Sequence, residues 1–253
     1  MSKATEQRQR AIQLLAILGG AVVMHVVPQV RDYLVMKWMI VGLGGAFFLS
    51  LMLLAPQGQV PLDPLARFHW ILLVAYLVHQ FEEHGVDLLG RAHFFITYAR
   101  TVIDDVGAAS GFQLTPLAIY RTNTLFVWLP FLAAVWGHRR FLWPGLAAGG
   151  LVLTNAILHI GIALWRQEYN PGLGSAIVIF LPVAFLYFRF VVRHCGVGWW
   201  GIAGGVLFGA AEHGLLLLRI RFNLGAALPP TVLGVIALTP LFANAVYNQL
   251  RRP

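Results

Sequence analysis

The chain has 253 residues, 58% of them hydrophobic and only 11% charged, with a formal net charge of +8. Soluble domains carry about a quarter of their residues as charges, so a soluble globular fold is excluded. Apolar runs of about 20 residues recur from end to end, which makes this an all-α polytopic membrane protein. Its lysines and arginines stand singly or in pairs at the ends of apolar runs, with no basic stripe, so no nucleic-acid partner is expected. A single cysteine, Cys195, excludes an internal disulfide and a thiolate metal cluster.

The polar stretch Met1–Arg10 leads into a full-length apolar run with no cleavage-site pattern, which predicts an uncleaved first helix. Eight spans are expected: Ala11–Val30, Met36–Ala55, Phe68–Asp87, Ala118–Trp136, Phe141–Trp165, Gly174–Val192, Val197–Leu218 and Pro229–Gln249. Pro56, Pro61 and Pro64 separate the second from the third, and Asn170-Pro171-Gly172 the fifth from the sixth. Gly19-Gly20, Gly44-Gly45, Gly149-Gly150 and Gly204-Gly205 lie inside spans, where small residues let helices approach. Slightly more than half of the 18 lysines and arginines fall inside if the N-terminus is inside, a weak lean to that orientation. The long connection Gly90–Pro116 mixes Phe94, Phe95, Tyr98, Val102 and Ile103 with charged residues. It reads as an interfacial helix or lid, or as a solvated loop.

An internal repeat divides the chain into residues 11–140 and 141–253. Glu83-His84-Gly85 matches Glu212-His213-Gly214, Gly42-Leu-Gly-Gly-Ala46 matches Gly172-Leu-Gly-Ser-Ala176, Pro130 matches Pro240, and His25 matches His159. Four spans per half would relate the halves by an axis along the membrane normal.

The third span ends in His79-Gln-Phe-Glu82-Glu83-His84. On a helix, His79, Glu82 and Glu83 fall at about 0°, 300° and 40°, on one arc. His84 points about 140° from His79 and is not expected among the direct ligands. Ionised groups at membrane depth are costly and are usually paired and functional; two protonated acids in a packing interface are the plain alternative. Asn155 and His159 in the fifth span, Glu212 and His213 in the seventh, His25 in the first, and the span starts bearing Arg121, Asn123, Asn170 and Ser175 fall on the same side, about 3–9 Å from the midplane. One polar site is therefore expected.

With no sulfur, the set His79, Glu82, Glu83, His159, Glu212 and His213 suits zinc or iron, and three carboxylates could bridge two metals. Glu82 and Glu83 are the candidate catalytic groups. Asn155, His25, Arg121 and Asn123 are candidates for the surrounding layer, Asn155 also for an interhelical hydrogen bond. Only one of Glu212 and His213 need reach the site. His69, His138 and His194 read as interfacial.

His79-Gln-Phe-Glu82-Glu83, then Asn155-Ala-Ile-Leu-His159, then Tyr169-Asn170-Pro171-Gly172 and a span with Pro182 resemble the HXXEE-domain family over roughly Phe68–Phe188. That resemblance implies an integral membrane protein, mostly of bacterial type, sharing the Asn-x-x-x-His element. It implies no particular reaction.

Three function classes follow. The first is an enzyme of the cell membrane whose divalent transition metal, iron or zinc, acts on a lipid, isoprenoid or other apolar substrate by oxidation or hydrolysis. The second is a proton- or cation-coupled transporter using the same cluster, with Asn244 and Asn248 on its opposite face. The third is a membrane subunit whose buried charges specify packing. The oligomeric state is open.

Overall fold

The structure, a computed structural model, describes residues 3–55, 63–105, 107, 114–137, 142–222 and 230–250. Helices α1 (Lys3–Val26), α2 (Pro28–Leu54), α3 (Pro64–His84), α4 (Phe95–Asp105), α5 (Pro116–Gly137), α6 (Leu142–Arg166), α7 (Leu173–Cys195), α8 (Trp199–Arg221), α9 (Pro230–Ala237) and α10 (Thr239–Leu250) make up nearly all of it. No strand occurs among the described residues; Val86 and Ala92 form an isolated antiparallel bridge.

Five helices, α2, α5, α6, α7 and α8, are long and apolar enough to cross a membrane. The other three expected spans are realised differently. The first has only the shorter apolar stretch Ala11–Val26. The third, α3, has the length but is diluted by His69, His79, Gln80, Glu82 and Glu83. The eighth breaks at Leu238, because the ring of Pro240 prevents a continuous helix. Pro56, Pro61, His138 and Pro229 lie outside the described residues, as does the side chain of Asn248. Large apolar side chains cover the outside: Phe48 is 71% exposed, Leu54 81%, Val178 72% and Trp200 79%. Such a surface suits lipid and not water.

The helix that carries the His-Glu motif lies inside the bundle. α3 packs against α2, α5, α6 and α7, with Leu72, Tyr76 and His79 buried together with Phe126, Phe131, Leu151 and Phe180. It starts sharply, since Asp63 accepts the amide of Ala66 at 3.0 Å and Pro64 opens the first turn.

The α6–α8 pair is joined through glycine. A Cβ on Gly150 would lie 1.8 Å from the carbonyl oxygen of Gly205, and one on Gly209 would lie 2.5 Å from that of Gly150. Backbone therefore meets backbone, as small-residue seams between membrane helices allow. At Gly19, Gly20, Gly44 and Gly45 a Cβ would meet nothing within 4 Å, so those doublets do not form such seams among the described residues.

Two helices carry a π-helical turn just before a proline: Thr122–Val127 ahead of Pro130 in α5, and Ala176–Phe180 ahead of Pro182 in α7. Proline lacks an N–H and its ring crowds the carbonyl four residues back. A widened turn accommodates both, and Trp128 and Leu181 donate to the carbonyls five residues back, those of Asn123 and Ala176.

Candidate metal centre

The last two turns of α3, the last third of α6 and the first turn of α7 meet in one buried region. His79, Glu83 and His159 each place a ligand atom within 4.8 Å of the other two. His79 Nε2 lies 3.7 Å from Glu83 Oε2, and His159 Nε2 lies 3.6 Å from Glu83 Oε1. Two ligands about 2.1 Å from one metal in tetrahedral geometry stand roughly 3.4 Å apart, so small side-chain movements would suffice to hold an ion.

The tautomers follow from the outer hydrogen bonds. Asn170 Nδ2 donates to the His159 carbonyl at 2.8 Å, which leaves Asn170 Oδ1 as the acceptor for His159 Nδ1–H at 2.6 Å. Ser175 Oγ donates to the Gly172 carbonyl at 3.2 Å and so accepts from His79 Nδ1–H at 2.9 Å. Both imidazoles are thereby left with an Nε2 lone pair turned toward Glu83, and His79 Nε2 is buried with no hydrogen-bond partner. This is how metal-binding histidines are usually oriented by their surroundings. Gly172 allows the closeness: its φ is +91°, and a Cβ would sit 2.8 Å from Cε1 of both rings.

Glu82 has a different task from its neighbour. Its Oε1 accepts from the hydroxyl of Tyr169 and from the amide of Gly174 at 3.1 Å, and its Oε2 accepts from the amide of Ser175 at 2.6 Å. Its carboxylate caps the N-terminus of α7, where free amides and the helix dipole favour negative charge, and it is not among the convergent ligand atoms. Tyr169 lies outside the spans; burial, and then the bond to Glu82, push its phenol above the usual range.

The remaining expected residues surround this group. Asn155 Nδ2 points to the hydroxyl of Tyr76 and to His213 Nε2, both at 3.4 Å, and makes an interhelical link. His213 Nδ1–H donates to the Gly209 carbonyl at 2.8 Å. Glu212 is 1% exposed and neither carboxylate oxygen has a hydrogen-bond partner; it is not among the convergent ligand atoms. Asn123 Oδ1 accepts from Gln80 Nε2 at 2.8 Å, and Gln80 Oε1 accepts from Trp128 Nε1 at 2.7 Å. His25 contacts Thr124 Oγ1 at 3.2 Å and the Tyr120 ring. Arg121 acts electrostatically on His25 and Tyr120.

His84, which helical spacing keeps out of the ligand group, is not among the convergent atoms but touches Glu83. Its Nε2 is 3.1 Å from Glu83 Oε2 and 3.3 Å from Asn123 Nδ2. Glu83 is one residue from the helix end, so its long side chain can reach a neighbour that the helical wheel separates. Within the connection after α3, α4 is helical: Phe95 packs edge-on against His84 at 4.3 Å, Arg91 covers the Phe94 ring at 3.9 Å, and Arg166 pairs with Asp105 at the far end of α4. Among the interfacial histidines, His194 is exposed, whereas His69 is fully buried with Nδ1 bonded to the Ala134 carbonyl at 2.9 Å.

Residues 70–187 match the family model described as "Protein of unknown function with HXXEE motif". The chain carries an HXXEE domain. No curated protein and no solved structure matches it. The HXXEE match contains all three convergent side chains and the residues that orient them, whereas Glu212 and His213 come from outside it.

Proposed function

We propose that the HXXEE domain is the metal-binding centre of a membrane-embedded enzyme acting on a lipid, isoprenoid or other apolar molecule. His79, Glu83 and His159 would hold one divalent transition metal, zinc or iron. The observation that carries this reading is the pair of histidines whose Nδ1 atoms are held by Ser175 and Asn170, turning both Nε2 lone pairs onto one carboxylate. Two histidines and one carboxylate leave a coordination position open, as catalytic sites do. Such a metal supplies Lewis acidity or an activated water. The chain itself orients the ligands, keeps Glu82 occupied as a cap, and shields the centre with apolar packing. One metal suits the geometry better than two, since Glu82 is engaged by three donors. In the same reading the helices make eight crossings in two parallel halves, within the cell membrane.

Elemental analysis of gently purified protein tests the site. Close to one equivalent of zinc or iron is expected in the wild type, and a loss of most of it in His159→Ala and Glu83→Gln while both variants still insert and fold. Stoichiometric metal with no turnover of lipid or isoprenoid would remove the enzyme part alone. Wild-type protein that binds no transition metal, with Glu83→Gln more stable than wild type, would overturn the metal reading and favour a proton-coupled transporter.

A further inference from the structure

Beside the metal group, and independent of it, α8 brings a carboxylate into the interior with nothing to answer it. Glu212 is 1% exposed, and both Oε1 and Oε2 are buried with no hydrogen-bond partner. Asn155 adds a third oxygen of the same kind: its Oδ1 is buried and unpartnered, in a side chain 7% exposed. The orientation of that amide is fixed by His213. Because His213 donates Nδ1–H to the Gly209 carbonyl, its Nε2 is an acceptor, and only Asn155 Nδ2 can satisfy it. Asn155 Oδ1 must therefore face elsewhere. Asn155 is joined to α8 at His213, the residue that follows Glu212, and to Tyr76 of α3.

A protonated Glu212 would still leave at least one of its two oxygens without a partner. A buried polar group in this condition calls for a guest. The available atoms are hard oxygens, unlike the imidazole-rich centre beside them, and they carry one negative charge. Hard oxygen donors select alkali and alkaline-earth ions over soft transition metals. A monovalent ion leaves the site neutral, whereas a divalent one would leave a net charge at low dielectric. Intramembrane acids characteristically mark ion sites.

We propose that Glu212 and Asn155 form an oxygen-lined site between α6 and α8 that binds an alkali-metal cation, sodium or potassium. His213 sets the orientation of Asn155, and the glycine seam at Gly150, Gly205 and Gly209 sets the position of α8.

Thermal unfolding of the full chain in detergent tests this, in sodium, potassium or choline chloride at equal ionic strength. Wild-type protein is expected to show a saturable rise of several degrees in sodium or potassium over choline. Glu212→Gln should abolish that ion-specific rise, Glu212→Asp should shift its midpoint at least tenfold, and neither should lower bound transition metal. Equal melting in all three salts, or an ion-specific rise that survives Glu212→Gln, would overturn the proposal. So would a second equivalent of transition metal lost on Glu212→Gln, which would make Glu212 a ligand of a dinuclear centre. Zero transition metal with an intact sodium response would remove the proposed enzyme and leave this site standing.

Discussion

Asn170 grips His159 at two points, accepting from its Nδ1–H at 2.6 Å and donating to its backbone carbonyl at 2.8 Å. One carboxamide thus fixes the tautomer of the ring and ties the loop before α7 to the helix that carries the ring. Replacing Asn170 by alanine removes both contacts without touching a ligand. Metal affinity is expected to fall about 10–100-fold, the usual cost of losing an orienting partner. Competition with a chelator of known affinity measures it, and an unchanged affinity would show that packing alone orients His159.

Glu82 and Glu83 are adjacent in sequence and should respond oppositely to the same change. Glu82→Gln weakens the cap of α7, with an expected loss of about 1–2 kcal/mol in stability and metal content near wild type. Glu83→Gln should lower metal content much more than it lowers the melting temperature. Paired melting curves and elemental analysis separate the two, and identical profiles would contradict the division of labour described above.

At Gly172, alanine meets both a φ of +91° and two imidazole carbons at 2.8 Å. A cost of about 1–3 kcal/mol is expected from the backbone conformation alone, together with weaker metal binding as the rings are pushed apart. Alanine at Gly44, where a Cβ meets nothing within 4 Å, is the control and should be tolerated. Equal effects at the two positions would show that space at Gly172 is not limiting.

The Tyr169–Glu82 contact should survive alkali. Burial and the Glu82 bond raise the phenol's pKa in the folded protein, while in the unfolded chain it ionises near pH 10. Its contribution is therefore complete below about pH 10 and is lost as pH rises through the folded value. Tyr169→Phe should lose the same stability at pH 7 and pH 9, with the gap to wild type closing only in stronger alkali. A gap that closes between pH 7 and pH 9 would mean the phenol is not held in this way.

The membrane character, the helical class and the three convergent residues were all legible in the sequence. Helical spacing puts His79 and Glu83 one turn apart, and the Asn155/His159 pair carries the same spacing in a second apolar run. Spacing could not separate Glu82 from Glu83, because both lie on the inward arc. The distinction comes from the α7 N-terminus, whose unsatisfied amides claim the nearer carboxylate. His84 stays outside the convergent group, as its helical direction expects, yet touches Glu83, since a helical wheel follows Cβ directions and not the reach of a long side chain at a helix end. Gln80 had a signal, an amide inside an apolar run beside His79, and its partners Asn123 and Trp128 come from α5. The glycine doublets looked alike in sequence, yet only those on α6 and α8 meet another backbone.

The widened turn at Ala176–Phe180 acts as a phase spacer within α7. A π-helical turn holds one residue more than an α-helical turn, and one residue is worth about 100° of rotation. Ser175 lies just before the spacer and faces His79, while Phe180, Ala184 and Tyr187 lie at or beyond it and face the core. Shortening the turn by one residue would restore a regular helix and put these two groups out of angular register. Either the apolar stripe would stay seated and Ser175 would swing away from His79, or the serine would stay and the stripe would turn toward lipid. The length of this segment is thus a functional quantity in its own right, whatever apolar residues occupy it.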